Sequence, residues 1–576
     1  MRQRTIRTTL AIALAALVAP AAAGASRNAY VADLVDGKVV ALTDDVASGV
    51  LTPAGSVPSG STPDGMVLTA DGSRLYVANY GSPAIDGYSV AADGSLTALT
   101  GSPFATAGGT FGMTATADGK YLYAANRNSK ISGYAVGADG ALTPLPGSPY
   151  TSLPGLYGIA SSPDSKLLYA TTDSGAGTRL AGYSIGADGS LAALPATMPS
   201  PGTSARGIVF APDGRRLYVA QYAEDKVAAF DVAASGALSE IGGSPFTVGD
   251  GPYGLAVAPD GKSLFAAESN AGTFSSFPIA GNGSLGASSS TVPAGTSAYA
   301  GAVSPDSRFL YTTGGSNPTA YGFGIGANGA LTALGGSPFL ADGSEADFQG
   351  IVISPNQPPK ATFRVNPSEP GIKEQIRFNA KNSTDPDGTV ASYLFDFGDG
   401  KTKTSTDGSA SHKYKTEGTY SVTVTETDNE GCSTSVVYTG QTASCNGSSD
   451  AVATREVVVA DREVDNPQVT AKSKQKQDGK KIEVKVTAKA GEKVTAVATG
   501  TVKIKGQGKK LALLKKKKDL KANKKKSLTL KLKQANANKK VFKALDDKKP
   551  VKAKLQVKLT DEAGNFVTVK PTIELK

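Results

Sequence analysis

Between residues 30 and 356, apolar and polar positions alternate in short runs that end at glycine-containing turns, and the same pair of runs keeps returning. The copies read GMVLTADGSRLYVAN from Gly65, GMTATADGKYLYAAN from Gly112, GIASSPDSKLLYATT from Gly158, GIVFAPDGRRLYVAQ from Gly207, GLAVAPDGKSLFAAE from Gly254 and GAVSPDSRFLYTTG from Gly301. Alternation over four to eight residues marks a half-buried strand, and an Asp-Gly turn supplies the positive φ of a tight hairpin. A second pattern follows at a fixed offset, as in GYSVAADGSLTALTGSPF from Gly87 and GYAVGADGALTPLPGSPY from Gly133, and adds third and fourth strands. Asp71-Gly72 and Asp213-Gly214 are read as turns, because the spacing lacks the ligand ladder of a calcium loop.

A single four-stranded unit cannot bury both of its faces, so the units must pack on one another. A seventh inner strand, GIVISPN, begins at Gly350, and NAYVADLVDGKVVALTDDVASGVLTPAGS from Asn28 supplies the outer strands it lacks. Joining the two closes a ring and leaves no open sheet edge. The pattern predicts a seven-bladed β-propeller over residues 28–357.

Past Pro358-Pro359 the alternation continues in longer strands to residue 462. From Asn466 the composition changes, and segments such as KKIEVKVTAKAGEKVTAVATGTVKIKG alternate lysine or threonine with Val, Leu and Ile. That pattern predicts a second, basic β-sandwich over 466–576 with its lysines outward. The 67 glycines, 7% aromatics and absence of tryptophan fit an all-β class, and 576 residues exceed one hydrophobic core.

Charge divides the chain. Residues 466–576 hold 32 of the 60 basic and 9 of the 50 acidic residues, a net +23 that leaves the remainder at −13. The lysine runs 515–518 and 524–526 suit anionic envelope polymers as partners. They suit nucleic acid poorly, since the region has no arginine and only Phe542 and Phe566 for stacking. At the N-terminus, Arg2, Arg4 and Arg7 precede an apolar run of about ten residues and a small-residue stretch, which predicts a signal peptide over 1–25 and an extracellular or cell-surface protein. That run is too short to span a membrane. No transmembrane or sorting segment is expected in the mature chain. An oxidising exterior lets the two cysteines, Cys432 and Cys445, pair as a disulfide. No metal or cofactor is expected.

The blade grammar resembles that of the seven-bladed lactonase-like and YVTN-type propellers. Enzymes of that family act at the channel mouth with histidine, arginine and carboxylates. Here the residues before the inner-strand glycines are Asp64, Phe111, Tyr157, Arg206, Tyr253, Ala300 and Gln349, and the chain's only histidine, His412, lies outside the repeats. The middle region resembles a PKD domain, an Ig-like β-sandwich, over residues 358–462. Its signature residues are Asp385-Pro386-Asp387-Gly388, Asp396-Phe397-Gly398-Asp399-Gly400, His412, Tyr414 and Asp428, with Phe395 where the family usually has tryptophan.

Inner strands begin, and second strands end, on one propeller face. The expected ligand-binding set there is Asp64, Phe111, Arg127, Tyr157, Arg206, Tyr253, Glu268 and Gln349, rings with guanidinium, carboxylate and amide groups suited to a glycan or a surface protein. Two functions follow. One is a non-enzymatic surface scaffold with no catalytic residue, a PKD spacer and a basic envelope-binding tail. The alternative is a lactonase-like hydrolase in which Glu268 activates water beside Arg206.

Overall fold

The computed structural model describes residues 26–576 apart from 174–179, 195–197, 315–318, 340–349, 434–437, 439, 441, 443–444, 446–448, 461–465, 479–480 and 563. The expected signal peptide and Gln349 therefore lie outside the described residues. The chain divides into two compact units. One runs to Thr362 and adds Asn382–Leu394 and Val424–Ala453; the other holds Phe363–Lys381, Phe395–Thr423 and Thr454–Lys576.

In the first unit seven antiparallel sheets form the blades, four of them four-stranded and three with a short fifth strand paired to the third. The split blade orders Leu51–Pro58, Lys38–Asp45, Ser26–Asp33 and Ile351–Ile353, so the inner strand comes from the far end of the repeats. Ala29, Tyr30 and Val31 pair with Ile353, Val352 and Ile351.

The recurring tyrosine, preceded by leucine in five blades and by Ala29 in the split blade, has a single cause. The leucine packs in the blade core, while the tyrosine hydroxyl reaches into the next blade and donates to the carbonyl of the glycine in its outer turn. Tyr30 donates to Gly94 at 3.0 Å, Tyr76 to Gly140 at 2.7 Å, and Tyr123 to Gly189 at 2.6 Å. Tyr169 meets Gly236 at 2.6 Å and Tyr218 meets Gly283 at 2.9 Å. Phe265 fills the same position in Ser263–Glu268 without a hydroxyl.

The inner-strand glycines answer a different demand. A Cβ on Gly158 would lie 2.4 Å from the carbonyl oxygen of Arg206, and one on Gly254 would lie 2.2 Å from that of Tyr299. Real Cβ atoms do not approach oxygen so closely, so only glycine admits the neighbouring blade there.

The part of the PKD-like region in this unit is tied to the end of the ring. Asn356 Nδ2 donates to Asp428 Oδ2 at 2.9 Å, and the Gln357 amide donates to Asp387 Oδ2 at 2.9 Å. Arg27, 1% exposed, pairs with Asp44 at 3.1 Å and with Glu430.

In the second unit, Ile376–Asn379 pairs with Ser409–His412 around Phe363, Phe378, Phe395 and Phe397. Tyr414 locks this core by donating to the Phe397 carbonyl at 2.7 Å. His412 stacks on Phe397 at 4.3 Å with Nε2 2.9 Å from Asp399, which is a structural placement.

The lysine-rich region forms two sheets over one apolar core, with Val494–Ile504 paired along its whole length to Val551–Asp561. One element departs from the expected pure sandwich, the helix Ala535–Asp546. Ala537, Val541 and Ala544 enter the core from it, and this four-then-three spacing is helical where the neighbouring segments alternate by two.

Candidate functional site

Six of the seven inner strands carry a β-bulge near their start. Register shifts separate Pro63 from Met66, Thr110 from Met113, Leu156 from Ile159, Ala205 from Ile208, Pro252 from Leu255 and Ala298 from Ala300. A bulge turns one side chain out of the strand's alternation. The residues at these bulges include Asp64, Tyr157, Arg206, Tyr253 and Tyr299, and all but Asp64 enter the ring and cation–π contacts of one mouth.

The mouth is an aromatic cluster threaded by two arginines. Tyr80 lies 4.6 Å from Phe111, and Phe111 stacks on Tyr157 at 4.6 Å. Tyr157 meets Tyr253 edge-on at 5.6 Å, and their hydroxyls are hydrogen-bonded across the channel. Tyr253 also meets Tyr299 at 5.0 Å and Tyr222 at 6.1 Å. The Arg206 guanidinium sits 3.6 Å from the Tyr222 ring centre, 4.6 Å from Tyr253 and 5.4 Å from Tyr157. Arg127 lies 5.1 Å from the centre of Phe111. Rings that share a cation in this way are held in place by its charge; Tyr157 and Tyr253 are buried, and Tyr80, Phe111, Tyr222 and Tyr299 are the rings that remain partly open.

Arg206 forms an ion pair with Asp173 at 3.6 Å, with side chains 20% and 15% exposed. Its buried Nε–H has no acceptor among the described residues. The site thus holds a half-sheltered cation with a spare donor, one carboxylate and a tyrosine hydroxyl pair.

The structure brings together Phe111, Arg127, Tyr157, Arg206 and Tyr253 of the expected set. Asp64 is buried at the start of Pro63–Leu68. Glu268 is a correction. Its Oε1 accepts from the Gly249 amide at 2.8 Å and its Oε2 from Thr273 Oγ1 at 2.5 Å, so it is consumed in holding its own blade's turns. The proposed Arg206–Glu268 pair does not form, and Asp173 takes that place.

Asn79 and Asn126, at the same strand-end position as Glu268, likewise bond within their blades. The residues one step further, Tyr80, Arg127, Asp173 and Tyr222, are the ones that reach the mouth. Tyr299 is a second correction. Aligning on Gly301 selected Ala300, but counting six residues back from the turn residues Pro163, Pro212, Pro259 and Pro305 gives Tyr157, Arg206, Tyr253 and Tyr299 alike.

The opposite end of the channel is occupied by the chain itself. Thr442 Oγ1 donates to the carbonyl of Val303, at the far end of the inner strand Ala298–Val303. Tyr438 and Thr442 are 3% and 5% exposed, and with inner-strand residues such as Ile208, Val257 and Val303 they line a cavity of about 40 Å³. That volume admits water and no organic ligand. Cys432 and Cys445, which flank these residues, form the expected disulfide, with Cα atoms 5.9 Å apart. Access to the mouth is therefore from the tyrosine face.

These features define a closed seven-bladed propeller with a one-sided aromatic–arginine mouth. Residues 157–242 match the family model for the lactonase, 7-bladed beta-propeller, and residues 356–442 match that for the PKD domain. The chain carries a lactonase-type propeller followed by a PKD domain, and 52% of the described residues are in strands and 3% in helices.

Among solved structures it is similar to a 6-phosphogluconolactonase homologue of Bacteroides uniformis, at 18% identity over 57% of this chain and 99% of that one, TM-score 0.50. It is also similar to a periplasmic gluconolactonase of Pseudomonas aeruginosa, at 20% identity over 57% and 99%, TM-score 0.49. At these identities the likeness is one of fold. A curated relative, a microbial collagenase of Vibrio alginolyticus, is 40% identical over 92 residues, which are 16% of this chain and 11% of that protein's length.

Proposed function

We propose that the protein is an exported lactone-directed hydrolase acting at the aromatic–arginine mouth of its propeller. The observation that carries this reading is the Arg206–Asp173 pair inside a cage of three tyrosines. Both residues fall within the segment that matches the lactonase family model. In this reading the Arg206 guanidinium, through its terminal nitrogens, holds the lactone carbonyl oxygen and stabilises the oxyanion as it forms. Asp173 accepts a proton from the water that attacks the carbonyl carbon. The acyl–oxygen bond breaks, the ring oxygen takes up a proton, and the product is a hydroxy acid whose carboxylate rests against Arg206. The tyrosine edges and hydroxyls orient a polyhydroxylated ring. The PKD domain and the disulfide accord with an extracellular setting.

The test is turnover of a panel of aldonolactones by the full-length protein, beside Arg206→Ala and Asp173→Asn. Turnover that falls at least 100-fold in both variants supports the hydrolase. A second reading, a non-catalytic recognition platform, is favoured by the absence of histidine from the repeats and by the structural use of Glu268. It predicts no turnover, with quenching of tyrosine fluorescence by a glycan or sugar acid that Arg206→Ala abolishes.

A further inference from the structure

The lysine-rich region presents one face whose pattern is more specific than its net charge. Val494–Ile504 and Val551–Asp561 pair in register, with Lys503 opposite Lys552, Thr501 opposite Lys554, Thr499 opposite Gln556 and Val497 opposite Lys558. The intervening residues Ala496, Ala498, Val502, Ala553, Leu555 and Val557 are buried in the core. Strand alternation therefore puts the lysine, threonine and glutamine side chains on the outer face together. The next strand adds Lys517 opposite Val497. On the other side Thr572 stands opposite Lys554.

A shallow groove crosses this face, lined by Thr499, Thr501, Lys554, Gln556, Lys570 and Thr572. Lysines stand on the groove, with hydroxyls and an amide between them. Among the described residues none of Lys503, Lys517, Lys552, Lys554 and Lys570 is in an ion pair, although other lysines of the region pair with Glu483, Asp547 and Glu562. Two acidic residues share the face: Asp519 accepts from Thr495 Oγ1 at 2.7 Å, and Glu574 stands opposite Lys552, leaving Lys554 and Lys570 as the cations of the groove.

We propose that this face binds a linear polyol phosphate, a polyanion with a hydroxylated backbone and no bases. Alternate residues of a strand are roughly 6.7 Å apart, so Lys552 and Lys554 present positive charge at a repeat that a phosphodiester chain can follow. The threonine hydroxyls and Gln556 then meet the polyol between the phosphates. Nucleic acid is a poor fit, because the face has no series of rings for stacking. Phe542 packs against the core, and Phe566, 60% exposed with the Lys558 ammonium 3.4 Å from its centre, is a single ring that cannot stack successive bases. This inference is independent of what the propeller does.

The experiment is titration of end-labelled poly(glycerol phosphate) with the full-length protein, followed by anisotropy from 20 to 300 mM salt. A neutral polyglycerol and a single-stranded oligonucleotide of equal charge are the comparison arms. Lys552→Gln/Lys554→Gln/Lys570→Gln removes charge from the groove and from the strand beside it, and Lys472→Gln/Lys474→Gln/Lys485→Gln removes the same charge elsewhere in the region. Circular dichroism confirms that both fold. Expected are affinity at least tenfold weaker in the groove variant and less than twofold weaker in the other, and a log–log salt slope reduced by about two. Equal losses in the two variants, an oligonucleotide that binds as tightly as the polyol phosphate, or no salt-sensitive binding at 20 mM would each overturn the proposal.

Discussion

The hydroxyl of Tyr311 lies 2.9 Å from the carbonyl oxygen of Gly49, joining the last complete blade to the blade built from both ends of the repeats. The same hydroxyl lies 2.7 Å from Asp44 Oδ1, and Asp44 in turn pairs with Arg27. Five other tyrosines make the equivalent contact between consecutive blades, but only this one adds a carboxylate. Ring closure thus uses the general latch of the fold and reinforces it where the chain is discontinuous.

Replacing Tyr311 by phenylalanine removes the one hydroxyl hydrogen that the Gly49 carbonyl and Asp44 Oδ1 share, and a buried acceptor left unpaired costs about 1–3 kcal/mol. Tyr76→Phe removes a donor from the Gly140 carbonyl alone. Both variants are expected to lower the midpoint of chemical unfolding, with Tyr311→Phe the larger. Equal effects would mean that Asp44 finds another partner.

The channel stopper is tested by its polar contact and its covalent tie. Thr442→Val keeps the shape but leaves the Val303 carbonyl without its donor, a loss on the order of 1–2 kcal/mol. Cys432→Ser with Cys445→Ser opens a loop whose cross-link spans 13 residues, worth about 3 kcal/mol in the chain-entropy model. Both are expected to speed proteolysis within the 433–444 segment, read by mass spectrometry of the fragments.

How far the sequence could be read depended on whether the relevant signal was local. The blades were legible because alternation and Asp-Gly turns act over a few residues, and the split blade followed from two complementary half-repeats. The mouth was half legible. Phe111, Tyr157, Arg206 and Tyr253 came from the repeat register, but a glycine displaced by one residue hid Tyr299 behind Ala300. Tyr222 was missed because strand-end residues looked equivalent to their followers, although a bulged strand separates the two roles. Thr442 in the channel had no signal at all, since its partner Val303 is 139 residues away. The tail helix was hidden by the alternation on either side of it.

Glu268 and Asp173 separate a structural carboxylate from a functional one. Glu268→Gln weakens the bonds to Gly249 and Thr273 and is expected to cost about 1–2 kcal/mol of stability while leaving ligand binding at the mouth within twofold of wild type. Asp173→Asn is expected to do the reverse. Thermal melts and ligand titrations on the two variants give the comparison, and a loss of binding in Glu268→Gln with an unchanged melt would return that residue to the site.

Buried carboxylates in the first unit set the pH dependence of stability. Glu426 is fully buried, and burial pushes its pKa up to about 7 despite the hydrogen bond that Ser383 Oγ donates to it. Burial likewise raises Glu430 to about 7, and raises Asp385 and Asp387, each of which also feels a neighbouring carboxylate. The folded state therefore keeps protons that the unfolded chain releases near pH 4, so the stability these four groups contribute is greatest below that pH and drains away as the pH rises to about 7, against the opposite contribution of aspartates such as Asp71 and Asp118 whose pKa values are lowered. For Glu426 alone the full swing is on the order of 3 kcal/mol. Glu426→Gln keeps an acceptor for Ser383 and carries no charge to bury, so it is expected to be more stable than the wild type at pH 8 and no more stable at pH 5. Urea unfolding at the two pH values measures the crossing. A variant destabilised equally at both would mean that Glu426 is ionised and paired in the folded protein.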